Sequence, residues 1–151
     1  AHLAFYPPCL VDMELKDFST APIHVLIGES DDWVTASACE DLVTDLVAVG
    51  TNIDITIYDN AHHGFDRKGP LTVEKRGYAT GDCHFRMRSD GALLMNFFDI
   101  PMITPFRQKL ALAWCANRGT TIGGDPNARQ ASFLFAKRFM STNLFGINII
   151  E

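Results

Sequence analysis

The stretch from His24 to Asp66, HVLIGESDDWVTASACEDLVTDLVAVGTNIDITIYDNAHHGFD, decides how the chain folds. At its start, Ile23-His24-Val25-Leu26-Ile27 is an apolar run entered after Pro22 and stopped by Gly28, the pattern of a buried strand. Between Thr35 and Gly50, apolar Ala38, Leu42, Val43, Leu46, Val47 and Val49 recur at helical spacing. Glu40, Asp41 and Asp45 lie opposite, and Gly50 is placed as a C-terminal cap. Ile53, Ile55 and Ile57 then alternate with Asp54, Thr56 and Tyr58, which predicts a strand with one more polar side. Strand, helix and strand in this order form a βαβ unit, so the strands are expected to be parallel and the crossover right-handed.

Upstream, His2-Leu3-Ala4-Phe5-Tyr6 is a short apolar run halted by Pro7-Pro8 and reads as another strand. Downstream the pattern weakens. Gly69-Pro70, Gly77, Gly81 and Ser89-Asp90-Gly91 interrupt the chain too often for long elements, so extended loops are predicted, with a hairpin closed at Asp90-Gly91. Thr104-Pro105 opens a helix expected to reach Arg118, with Gly119 past its end. Asp125-Pro126 opens a last helix, whose residues Ala128, Ala131, Leu134, Phe135, Ala136, Phe139 and Met140 predict a broad face packed on a sheet. The chain is therefore read as one partial α/β domain, with strands and functional loops in 1–66, an irregular region in 67–103 and C-terminal helices in 104–151.

Composition narrows the function. Eighteen acidic against 13 basic residues give a net charge of −5 without a basic stripe, which argues against nucleic acid as a partner. No apolar run has the roughly 18 residues of a membrane span, and Ala1-His2-Leu3-Ala4 has no signal pattern, so the compartment, cytoplasmic or periplasmic/secreted, is left open. Cys9, Cys39, Cys83 and Cys115 are far apart and form no C-x-x-C. Two disulfides are permitted by the even count, but scattered thiols are the expectation.

Side chains with chemistry gather at the carboxyl ends of parallel strands. Three such ends are legible: Tyr6-Pro7-Pro8-Cys9, Gly28-Glu29-Ser30-Asp31-Asp32-Trp33, and Asp59-Asn60-Ala61-His62-His63-Gly64-Phe65-Asp66. One helix and one strand separate Asp31 from His63, so their loops should sit side by side, pairing a carboxylate with an imidazole as in the second and third members of a hydrolytic triad. Asp32 and His62 are the neighbouring alternatives. Tyr6 and Trp33 follow strand ends and are candidates to line a substrate pocket. Cys9 lacks the strained turn that presents a thiol nucleophile. His62, His63 and Asp66 are metal-ligand types, but adjacent histidines point in different directions and no helical i, i+4 pair accompanies them, so no metal is expected. His24, inside an apolar strand, reads as a core histidine satisfied by backbone.

The quoted stretch resembles the acid-to-histidine half of the dienelactone hydrolase family of α/β-hydrolases, in which a strand ends in a Gly-x-x-Asp loop and, after a helix, the next strand ends in a His-Gly-Phe or His-Ser-Phe turn. The likeness is good over residues 1–66 and looser beyond. It implies Asp31 as triad acid, His63 as triad base, a small carboxylic ester or lactone as substrate, an acyl-enzyme route and no cofactor. No Gly-x-Ser-x-Gly or Gly-x-Cys-x-Gly elbow occurs in residues 1–151, and neither Ser30 nor Cys83 has the surrounding pattern. The resemblance thus implies the C-terminal half of the fold, with the nucleophile on a missing N-terminal hydrolase segment. The edge of the strand at 2–6 would then be unpaired and open to self-association. A non-catalytic hydrolase-like binding domain is the alternative expectation.

Overall fold

A computed structural model describes residues 1–14, 18–95 and 97–147. Residues 148–151, within the expected C-terminal helical segment, lie outside the described residues. In chain order the elements are β1 (His2–Phe5), β2 (Val11–Met13), β3 (Ile23–Gly28), α1 (Ala36–Ala48), β4 (Ile53–Tyr58), β5 (Thr72–Ala79), β6 (Phe85–Met87), β7 (Leu93–Leu94), α2 (Pro105–Cys115), β8 (Asn117–Ile122) and α3 (Pro126–Phe145).

The central sheet has the order β1-β3-β4, and both pairings are parallel. Residues directly opposite one another share a face, and the two faces have different partners. Val25, Ile27, Ile53, Ile55 and Ile57 pack under α1, which contributes Ala36, Cys39 and Val43. Leu3, Phe5, Leu26 and Tyr58 lie on the other face with Ala61, Phe65, Ala128 and Phe135. Val49 closes α1, and Gly50 follows at φ +88°, a conformation glycine adopts without steric cost.

α3 begins as its sequence predicts, the Asp125 side chain capping Ala128 N–H at 2.7 Å. Its covering stripe is narrower than the expected face. Ala128 and Ser132 are buried and Phe135 and Phe139 half-buried, a period of three to four residues, whereas Ala131 and Leu134 are exposed.

Four expectations require correction. The region 67–103 is not simply loops around a hairpin. β6 and β7 form that hairpin, but β5 is an eight-residue strand paired antiparallel with β8, and β2 joins β6 in parallel. The helix from Thr104 stops at Cys115; Ala116 is extended, and Asn117–Ile122 is strand β8. Glycine is compatible with this change, because Gly119 takes φ +89° inside the strand instead of lying past a helix end. The cysteines are not scattered thiols, since Cys9 bonds to Cys39 and Cys83 to Cys115.

His24 is the fourth. Its ring Nε2 lies 2.8 Å from Thr56 Oγ1 on the neighbouring strand, so a side chain, not the backbone, satisfies it. Phe135 and Phe139 of α3 cover the ring at centroid distances of 4.3 and 5.7 Å. Burial lowers its pKa from the ordinary value near 6.5, against a smaller upward pull from Asp54. The unfolded chain therefore takes up this proton at a higher pH than the folded one. Stability from neutral His24 is fully present above the unfolded pKa and is lost as pH falls through the folded value. The melting temperature is expected to drop between about pH 7 and 5, and His24→Gln should flatten that part of the profile. Equal slopes for the two proteins in thermal melts across this range would refute the assignment.

Candidate active site

β3 ends at Gly28 directly opposite Tyr58, the last residue of β4, so the two segments leave the sheet together. Main-chain bonds then fasten them. Glu29 N–H donates to Tyr58 O and Ser30 N–H to Ala61 O, each at 2.9 Å, and Asp31 N–H donates back to Gly28 O at 3.2 Å. The Glu29 carboxylate accepts from Asn60 N–H at 2.9 Å. The crossing admits no side chain at position 28, because a Cβ there would fall 2.2 Å from the Ala61 carbonyl oxygen. Gly28 thus sets how closely the acid loop approaches the histidine loop.

The structure brings Asp31 and His63 together. Asp31 Oδ2 lies 2.9 Å from His63 Nδ1, while Oδ1 accepts from Trp33 N–H at 2.9 Å and Val34 N–H at 3.0 Å. The Asp31 side chain is fully buried and that of His63 is 16% exposed. A carboxylate that accepts all three bonds assigns the proton of the neutral imidazole to Nδ1, leaving the lone pair on Nε2. Nε2 has no hydrogen-bond partner among the described residues. This arrangement can take a proton at Nε2 while Asp31 supports the resulting positive charge.

Two aromatic rings flank the imidazole. The Tyr6 centroid is 4.4 Å from that of His63 and the Trp33 centroid 4.7 Å, both tilted. The Tyr6 hydroxyl donates to Asp66 Oδ1 at 3.0 Å. Burial, and then Asp66 as acceptor and nearby charge, push the phenol up to about 12, so it remains a donor throughout the neutral range.

The neighbouring candidates are engaged elsewhere. Asp32 accepts from Thr121 N–H at 2.7 Å and from Thr121 Oγ1 at 2.8 Å, which ties the acid loop to β8. His62 does not bond to Asp31, and its Nδ1 is buried without a hydrogen-bond partner among the described residues. Cys9 and Cys83 are in disulfides and offer no thiol. Among the described residues no group of three or more His, Cys, Asp or Glu side chains is placed to hold a metal ion.

Four further residues support the site, three of them without a local signal in the sequence. Thr80 follows β5 and donates from N–H and Oγ1 to Trp33 O, at 3.1 and 2.8 Å. Thr121 holds Asp32, and Gly123 N–H donates to His63 O at 3.1 Å just beyond β8. Asp66 anchors Tyr6 and accepts through its carbonyl from Arg129 Nε at 2.8 Å. The β5–β8 ribbon thus ends against both loops, through contacts that bridge 47 positions from Thr80 to Trp33 and 89 from Thr121 to Asp32. Asp66 was visible as part of His-His-Gly-Phe-Asp, but its partner lies 60 positions upstream.

The model of the dienelactone hydrolase family matches residues 1–85. No curated protein and no solved structure matches the chain.

Proposed function

Since the chain belongs to the dienelactone hydrolase family, we propose that it carries the acid and base of a hydrolase acting on small carboxylic esters or lactones. The supporting observation is the 2.9 Å contact between His63 Nδ1 and a buried Asp31 carboxylate, with Nε2 left unpaired among the described residues. Hydrolase membership alone gives the reaction class. The roles of Asp31 and His63 follow from what this pair can do.

In this reading a Ser or Cys from outside residues 1–151 attacks the ester carbonyl, and His63 Nε2 takes its proton. The Nδ1–H bond to Asp31 fixes the tautomer and stabilises the imidazolium while the tetrahedral intermediate forms. His63 then returns the proton to the departing alkoxide, leaving an acyl-enzyme. In the second half Nε2 takes a proton from water as that water attacks, and gives it back to the nucleophile on acid release. Backbone N–H groups near the nucleophile would hold the oxyanion. No step calls for a cofactor. Tyr6 and Trp33, whose rings flank His63, would meet the substrate there. β1 has β3 as its neighbour at one end of the β1-β3-β4 order, so its outer edge is the place for the strand that brings in the nucleophile, and for self-association without it.

Residues 1–151 alone are expected to hydrolyse an activated aryl ester at no more than a trace rate, because an acid and a base without a positioned nucleophile give only weak assistance to water. Joined to a segment carrying the nucleophile, the same chain should turn the ester over. Robust turnover by 1–151 alone that disappears in His63→Ala would overturn the external nucleophile.

A further inference from the structure

Tyr6 has an unusual backbone. It ends the run of β1 at φ +37° although it is neither glycine nor asparagine and precedes Pro7, a neighbour that ordinarily pushes a residue toward extended conformations. A side chain kept in such a conformation is held there by its contacts. Those contacts converge on the candidate base. The main-chain N–H donates to Leu26 O at 2.7 Å, the ring packs edge-on to Phe65 at 5.7 Å, and the hydroxyl is fixed on Asp66. With the two ends secured, the ring lies 4.4 Å from the imidazole of His63. Trp33 is secured independently. Its N–H is on Asp31 and its carbonyl on Thr80, and its ring lies 4.7 Å from the same imidazole.

We propose that Tyr6, anchored by Asp66, is a positioning residue for His63, and that its ring and that of Trp33 hold the imidazole against Asp31 and favour the imidazolium. This rests on the reading of His63 as the base. An imidazolium within about 6 Å of an aromatic face gains from the ring quadrupole, whereas a neutral imidazole gains little. The rings therefore support the charged state that exists only after Nε2 has taken its proton. Among the described residues, the charged and titratable groups next to the imidazole include Asp31 at Nδ1, Tyr6 with Asp66 behind it, and the adjacent His62, while the charge of Arg67 reaches the Tyr6 phenol. Asp32 is turned to Thr121, and from β8 the backbone of Ile122 and Gly123 meets His63.

The test reads the titration of His63 without turnover. Diethyl pyrocarbonate acylates neutral imidazole only, so its rate of addition to His63, located by tandem mass spectrometry and followed against pH, gives the midpoint for that residue. Tyr6→Leu keeps an apolar cover and removes the π face, and is expected to move the midpoint to lower pH by roughly half a unit. Tyr6→Phe retains the ring and should keep the midpoint while raising the limiting rate at high pH, since the ring is no longer tied to Asp66. Trp33→Leu should lower the midpoint as Tyr6→Leu does. If Tyr6→Leu proves unfolded by circular dichroism, Trp33→Leu decides by the same criterion. An unchanged or raised midpoint in the folded leucine variants would overturn the proposal. A lowered midpoint in a protein that never hydrolyses esters would keep the clamp and discard only the catalytic reading of His63.

Discussion

Asp31→Asn in the nucleophile-bearing protein should lower kcat by about 10⁴-fold with little change in KM. The size follows from where the two carboxylate oxygens point. Oδ1 accepts from Trp33 N–H and Val34 N–H, two main-chain donors that cannot change role. An asparagine would therefore keep its carbonyl oxygen on those donors and turn its NH2 toward His63 Nδ1. That group donates, so Nδ1 must become the acceptor and the imidazole proton moves to Nε2. A protonated Nε2 cannot take a proton from the nucleophile. The fold is unaffected, because every hydrogen bond at the position is still made. Asp32→Asn, whose contacts are to Thr121, should cost far less. Steady-state kinetics near neutral pH would check both, and activity within tenfold of the parent for Asp31→Asn would remove Asp31 from the acid's role.

The sequence made the βαβ core legible for a physical reason. Residues 23–58 form their structure from neighbours in sequence, and both periods, two in β4 and about 3.6 in α1, are imposed by one buried side on a short segment. Pairing β3 with β4 then follows from the crossover, and with it the approach of residue 31 to residue 63. The same reasoning misreads β5 and β8. β5 is exposed at its first five positions, so Thr72-Val73-Glu74-Lys75-Arg76 has no buried stripe, and its partner lies about 45 residues later. Asn117–Ile122 contains Gly119 and two threonines and continues from a helix, so nothing local announces a strand. Its pairing depends on tertiary contacts such as Asp32 with Thr121. Four separated cysteines admit three full pairings or none, and only the fold selects one.

Removal of the second disulfide is the change expected to disturb the structure most unevenly. Cys83–Cys115 joins the segment before β6 to the last residue of α2 across 32 residues, and Cys9–Cys39 spans 30. Closing loops of this length stabilises by about 3.7 kcal/mol each in the chain-entropy account, against a typical net stability of about 5–15 kcal/mol. The two bonds differ in what else holds their surroundings. Cys9 and Cys39 lie in the cluster under the parallel sheet, with Val25, Ile27, Val34 and Val43 buried around them. Around Cys83 the buried cluster is small, with Phe85, Met95, Met102 and Ala111, and α2 buries only Ala111 while exposing Phe106, Leu110 and Trp114. With fewer fully buried side chains than the cluster under the parallel sheet, that segment has less burial to offset its ordering once the covalent tie is gone. In Cys83→Ser/Cys115→Ser, amides from Phe85 to Ala116 are expected to lose protection in hydrogen-exchange mass spectrometry while those of β3 and β4 keep it. Cys9→Ser/Cys39→Ser should instead lower the melting temperature of the βαβ core itself, since α1 and the segment carrying Tyr6 are then released from each other. Retained protection over 85–116 in the first variant would show that the small cluster is self-sufficient, and that the bond only decorates it.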